Sequence, residues 1–221
     1  MNKISYVLKT VVFLSATIGT FLSYYAGRNS FMGGSRVFMY FTIQSNIAIA
    51  IICAIGLVML MKKKPVSKAW YIVKFVGTVS ITLTGVVFCI VLAPTLGEKA
   101  WNIQNILTHV VVPILAIVDF FAVKDAPAVS KKNVLFVTIP PIIYAIYAGI
   151  GYVRGWQFSE GLNYPYFFLN WGSEAGVFGF SNKLPFLGSG WWILILLLFL
   201  IAVGYFYLVI ADKIRGRVQK A

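Results

Sequence analysis

Read as an alternation of charged and uncharged positions, the chain divides into six long apolar runs, 10–27, 37–61, 75–97, 100–118, 133–153 and 184–211. A bilayer core takes about 17–25 predominantly apolar residues per helix. The pattern therefore predicts six transmembrane helices, near 6–27, 37–61, 69–94, 102–123, 133–153 and 189–211. They form one all-α integral membrane domain over 1–221, with no length left for a soluble catalytic unit.

Between the fifth and sixth runs lies a long connection, from Arg154 to about Gly188, rich in aromatics, glycine and proline. It has no uncharged stretch long enough to span. It is expected to lie on or dip into the membrane surface, either as an interfacial aromatic belt or as a lid over a pocket. Pro113 in the fourth run and Pro140-Pro141 in the fifth are each expected to bend their helix, because proline withholds a backbone donor.

Composition removes the water-soluble alternatives. The chain is 60% hydrophobic and 11% charged, with a mean hydropathy of +0.86. Its net charge of +13 is spread over short loops next to apolar runs, where basic residues set orientation and attract anionic headgroups, so no nucleic-acid partner is expected. If the first helix starts inside, the inner face carries Lys3, Lys9, Lys62, Lys63, Lys64, Lys68, Lys74, Lys124, Lys131, Lys132, Lys213, Arg215, Arg217 and Lys220. The other face carries Arg28, Arg36, Lys99, Arg154 and Lys183. This split predicts a cell-membrane protein with both termini cytoplasmic and the long aromatic loop outside. The first run is too long for a signal-peptide core and is read as helix one.

Chemistry is sought among polar residues inside the membrane, where they are costly. Cys53 and Cys89 sit at different depths on antiparallel helices, so neither a disulfide nor a metal site is expected of them, and no cofactor is required. Thr42, Gln44, Ser45 and Asn46 open the second helix, with Thr42, Ser45 and Asn46 on one face. Asn102, Gln104, Asn105, Thr108 and His109 open the fourth, with Asn105, Thr108 and His109 on one face.

Both helices run inward from the outer face. Thr42 and His109 therefore fall at similar depth, roughly 8–9 Å below the boundary, and the two polar stripes can meet in one pocket. His109 is the single histidine of the chain. A threonine hydroxyl becomes a nucleophile when a neutral imidazole takes its proton, so the pair suits acyl transfer with Thr42 as nucleophile and His109 as base. Amide donors from Gln44, Asn46 or Asn105, or the Ser45 hydroxyl, are the candidates for stabilising an oxyanion. The same residue types also serve simply as hydrogen bonds between membrane helices. Asp119 lies about 15 Å further along the helix and is too far to orient the imidazole; it is expected to pair with Lys124 or Lys74. Thr78, Ser80, Thr82 and Thr84 are read as packing, and Glu160 and Glu174 as solvated.

Three stretches carry a resemblance: Tyr40-Phe41-Thr42-Ile43-Gln44-Ser45-Asn46, His109-Val110-Val111-Val112-Pro113 with Asp119 beyond it, and Tyr164-Pro165-Tyr166. They resemble the bacterial predicted six-transmembrane proteins, which are similar to the androgen-induced membrane protein family of animals. That resemblance implies an intramembrane threonine hydrolase of fatty acid esters of hydroxy fatty acids. The catalytic roles would fall on Thr42 and His109, with Gln44, Ser45, Asn46, Asn105, Tyr164 and Tyr166 around the substrate. The animal members carry a basic residue close before the threonine; here Phe38-Met39-Tyr40-Phe41 precede it and Arg36 stands further back.

The leading expectation is a membrane hydrolase acting on a lipophilic ester, with membrane lipids as its partners. The alternative is a non-catalytic protein that binds or transports a lipid or small molecule through the same polar pocket.

Overall fold

The computed structural model describes residues 3–29, 34–123 and 126–216. Among these there is no strand. Six helices are long and apolar enough to cross a membrane: α1 (Lys3–Gly27), α2 (Phe41–Met61), α3 (Lys68–Ala100), α4 (Ile103–Ala122), α5 (Lys131–Val153) and α6 (Ser189–Ile214). The chain is a multi-pass membrane protein. Set beside the expected runs, α1 starts three residues earlier, α2 starts four residues later, after the 3₁₀ turn Gly34–Met39, α3 runs on to Ala100, and α6 ends three residues later. Lys124, Arg217 and Lys220 lie outside the described residues.

The bundle turns many apolar side chains outward and gathers its membrane-spanning polar ones inside. Ile4, Phe21, Ile51, Ile90, Ile143, Leu198 and Phe206 are exposed, whereas Lys9, Asn46, Lys74, Thr108, His109 and Asp119 are buried. That inversion is what a hydrocarbon solvent selects, because polar groups gain only by meeting one another. Helix α3 sits at the centre, packed against α2, α4, α6 and the start of α5. Its Tyr71 and Phe75 pack on Phe120 of α4, with ring centroids 5.3 and 5.9 Å apart. Arg215, just past α6, donates to the carbonyls of Phe120 and Val123 at the end of α4, where cations are favoured.

One ion cluster ties three helices together. Asp119 of α4 receives Lys9 of α1 on Oδ1 and Lys74 of α3 on Oδ2, both at 2.7 Å, and Ser5 Oγ donates to Oδ1 at 3.2 Å. The Asp119–Lys74 pair was expected, but Lys9 was not: counted as a topology signal, it is in fact turned into the bundle and 5% exposed. The threonines of α3 do more than pack, since Thr82 bonds Tyr207 and Thr84 bonds Ser45. Glu174 pairs with Lys183 on the surface of the long connection.

The prolines act through local changes of helix type. Pro140 and Pro141 fall in the first turn of an α-helical segment, Ile139–Val153, which follows a 3₁₀ stretch, Lys131–Thr138; a first-turn N–H has no partner to lose. Pro113 and Pro94 each stand two residues beyond a π-turn, Leu107–Val111 in α4 and Phe88–Leu92 in α3. Through its 3₁₀ start α5 packs against α6, but beyond Ile139 the two helices part. The connection 154–188 closes that end of the bundle, burying Phe158, Phe168 and Leu169. Gly151 permits this, because a Cβ there would come 2.9 Å from the Phe158 ring.

Candidate active site

The start of α2 places the first functional group. Tyr40 is the extended residue before the helix, and Thr42 is in its first turn. The Thr42 carbonyl accepts from Ser45 Oγ at 3.0 Å and from Asn46 Nδ2 at 2.8 Å, so the polar face expected for 42, 45 and 46 exists. It works chiefly as bracing. Ser45 also bonds Thr84 of α3 at 2.7 Å, and Asn46 Nδ2 also donates to Thr108 O of α4 at 3.1 Å.

The second bond explains the π-turn of α4. Val112 N–H reaches back five residues to Leu107 O. In that register Thr108 O would look to residue 113, a proline with no N–H. Asn46 supplies the missing donor. His109 therefore stands in a distorted turn, of the kind frequent at functional sites, next to a carbonyl satisfied from another helix. Gly85 of α3 makes room for this turn: a Cβ there would lie 2.9 Å from His109 O.

His109 is 8% exposed and its hydrogen bonds fix its tautomer. Nδ1 lies 3.1 Å from Asn105 O and 3.0 Å from Thr108 Oγ1. A carbonyl only accepts, and the Thr108 hydroxyl spends its own hydrogen on Gln104 O, so the ring proton is assigned to Nδ1. Nε2 is left as an acceptor, and it faces Thr42 Oγ1 at 3.3 Å. Phe88, from the other π-turn, stacks on the imidazole at 3.8 Å between centroids.

Thr42 opens onto a cavity of about 70 Å³ between α3, α5 and α6, roofed by Tyr166, Phe168 and Leu169 from the long connection. Its walls are apolar, among them Leu83, Val87, Ile193 and Leu196, and no charged residue lines it. A water needs about 10–15 Å³ of such space, so the cavity has room for several. Tyr166 Oη accepts from Thr42 N–H at 3.3 Å and lies 3.5 Å from Thr42 Oγ1. Burial raises the Tyr166 phenol above its ordinary pKa.

The structure thus brings Thr42, His109 and Tyr166 together, with Ser45 and Asn46 behind them. Asn105 contributes its backbone carbonyl, while its side chain donates to Ala100 O. Gln44 departs from expectation. Two residues on from Thr42, it is rotated about 200° around the helix; it is exposed, donates to Phe38 O at 3.1 Å, and borders a separate apolar crevice between α2, α3 and α5. Tyr164 does not line the Thr42 cavity. Sequence reasoning missed Phe88, whose signal was Pro94 standing beyond a π-turn as Pro113 does. Both cysteines are free, and among the described residues no group of three His, Cys, Asp or Glu side chains is placed to hold a metal.

No protein-family model, curated protein or solved structure matches the chain.

Proposed function

We propose that the protein is an intramembrane hydrolase of lipid esters, with Thr42 as nucleophile and His109 as general base. The observation that carries this reading is the 3.3 Å approach of Thr42 Oγ1 to the unprotonated Nε2 of His109 at the edge of an apolar cavity. Interhelical bonding alone does not require a cavity beside the pair.

In the first step Oγ1 bonds to the ester carbonyl carbon, its proton passes to Nε2, and the carbonyl π pair moves to oxygen. Collapse of that intermediate breaks the ester C–O bond. The alkoxide leaves with the proton from Nε2, and Thr42 is acylated. Water then attacks the acyl group with His109 again as base, releasing a carboxylic acid and free Thr42. General-base catalysis of this kind contributes about 10²–10⁴-fold.

The divergence of α5 and α6 beyond Ile139 offers a route from the bilayer. An acyl chain can stay among Leu83, Val87, Ile193 and Leu196 while the ester reaches Thr42. The basic residues near the opposite end of the bundle favour placing both termini in the cytoplasm and the connection 154–188 outside the cell membrane.

The test is labelling of purified protein in detergent with a lipophilic fluorophosphonate, the adduct being mapped by mass spectrometry. The expected adduct is on Thr42, absent in Thr42→Ala and reduced at least about 100-fold in rate in His109→Ala. Folded wild type that gives no adduct and hydrolyses no long-chain ester overturns the proposal.

A further inference from the structure

The hydrolase reading leaves open which group holds the negative charge that forms on the ester carbonyl oxygen. Asn46 and Ser45 have no hydrogen left to give, and Gln44 and Asn105 do not line the Thr42 cavity. Gln44 donates to Phe38 O, Asn46 to the carbonyls of Thr42 and Thr108, Asn105 to Ala100 O, and Ser45 to Thr42 O. The oxyanion forms two bonds away from Oγ1, so its donors must be found in the space around that atom. Among the hydrogens there, besides the one passed to His109, are those of Thr42 N–H and the Tyr166 phenol.

The Thr42 N–H is a first-turn group with no carbonyl partner inside α2. At rest it points at Tyr166 Oη, 3.3 Å away, and the same oxygen lies 3.5 Å from Oγ1. Both contacts are longer than well-formed hydrogen bonds, and both converge where the charge would develop. The ring of Tyr166 is stacked on Phe168, with centroids 5.1 Å apart and planes 4° apart, and meets Tyr40 edge-on at 5.6 Å. Its direction is thereby set by packing between the long connection and the residue that opens α2.

We infer, on the footing of the hydrolase reading, that Tyr166 is a catalytic residue whose O–H, with Thr42 N–H, stabilises the oxyanion of the tetrahedral intermediate. As Oγ1 bonds to the carbonyl carbon and the π pair moves to oxygen, that oxygen takes the place Tyr166 Oη holds beside Thr42 N–H. The phenol withdraws and turns its hydrogen to the charge. No proton is transferred from Tyr166; it returns to its resting contact when the intermediate collapses. Burial keeps the phenol protonated and able to donate.

The experiment compares wild type with Tyr166→Phe, which keeps the ring and removes the donor. The readouts are turnover of a long-chain p-nitrophenyl ester and binding of a long-chain trifluoromethyl ketone beside the plain methyl ketone. Loss of one such donor costs about 10²–10³-fold in kcat. The expected result is that fall with KM within about threefold, and weaker binding of the trifluoromethyl ketone alone. A variant with wild-type kcat and wild-type trifluoromethyl ketone affinity overturns the assignment.

Should Tyr166→Phe not fold, 3,5-difluorotyrosine at position 166 answers the question, since its phenol ionises at lower pH. Activity that falls on the alkaline side only in the fluorinated protein supports the role of Tyr166, and an unchanged profile overturns it. Wild type that forms the Thr42 adduct while either test of Tyr166 fails removes Tyr166 and leaves the hydrolase. Wild type with neither adduct nor turnover removes the hydrolase itself.

Discussion

Phe88 lies nearly flat against His109, the two rings 3.8 Å apart at their centroids and 21° from parallel. Each residue comes from a π-turn two residues before a proline, so two matched distortions in neighbouring helices make one stack. With Nδ1 held by Asn105 O, the stack fixes the plane in which Nε2 faces Thr42.

Replacing Phe88 with leucine keeps an apolar side chain and removes the stack. Ring pairs are worth about 0.5–1.5 kcal/mol beyond their burial. Phe88→Leu is therefore expected to slow the reaction of Thr42 with a fluorophosphonate about 2- to 10-fold while the protein stays folded. Labelling rates at saturating probe measure it.

Gly85 is where α3 yields to the bulged turn of α4. A methyl there would meet His109 O at 2.9 Å and Pro113 at 3.1 Å, and a backbone carbonyl within a helix cannot step aside. Gly85→Ala is expected to lower the thermal midpoint in detergent by an amount equivalent to about 1–3 kcal/mol and to slow Thr42 labelling in the fraction that remains folded. An alanine with unchanged midpoint and unchanged labelling would show that this turn has slack.

Asp119 holds two lysines at once. Removing its charge in Asp119→Asn leaves two buried ammonium groups without a counter-ion, which is expected to cost about 3–5 kcal/mol. Replacing Lys9, Lys74 and Asp119 together by methionine, methionine and leucine is expected to recover most of that loss. Thermal unfolding of the two variants beside wild type decides the point. Thr42 labelling at the far end of the bundle should persist in the triple variant.

Tyr40 supplies a pH dependence. Its phenol, buried and donating to Phe158 O, is pushed up to about 12 by burial. The unfolded chain ionises at the ordinary value of about 10, the folded chain only near 12. The stability this group contributes is whole below pH 10 and is lost as pH rises from 10 to 12. Across that interval the thermal midpoint of wild type should fall more steeply than that of Tyr40→Phe.

The span of each helix was legible because hydrocarbon imposes a length. The pairing of Thr42 with His109 was legible because both helices begin at the same end of the bundle, so residue counts convert to depth. Phe88 was hidden, since a π-turn shifts the register from which faces are counted. Gln44 was misplaced by treating nearness in sequence as nearness in space. Lys9 was hidden for another reason: lysine at a helix start is the usual mark of the cytoplasmic side, and that reading left no cause to ask where the ammonium points. The buried stripe Ser5, Lys9, Val12, Ala16 and Gly19 follows helical three- and four-residue steps and was the available sign that Lys9 faces inward.

The tie between Lys9 and Asp119 joins residues 110 positions apart. During synthesis at about 5–20 residues per second, α1 is made roughly 5–20 s before its carboxylate exists. Through that interval Lys9 has no partner on α4, and a charge stranded in hydrocarbon favours keeping α1 shallow or sheltered in the insertion machinery. The arrival of α4 gives α1 its reason to settle, so α1 is locked in place by a helix translated well after it.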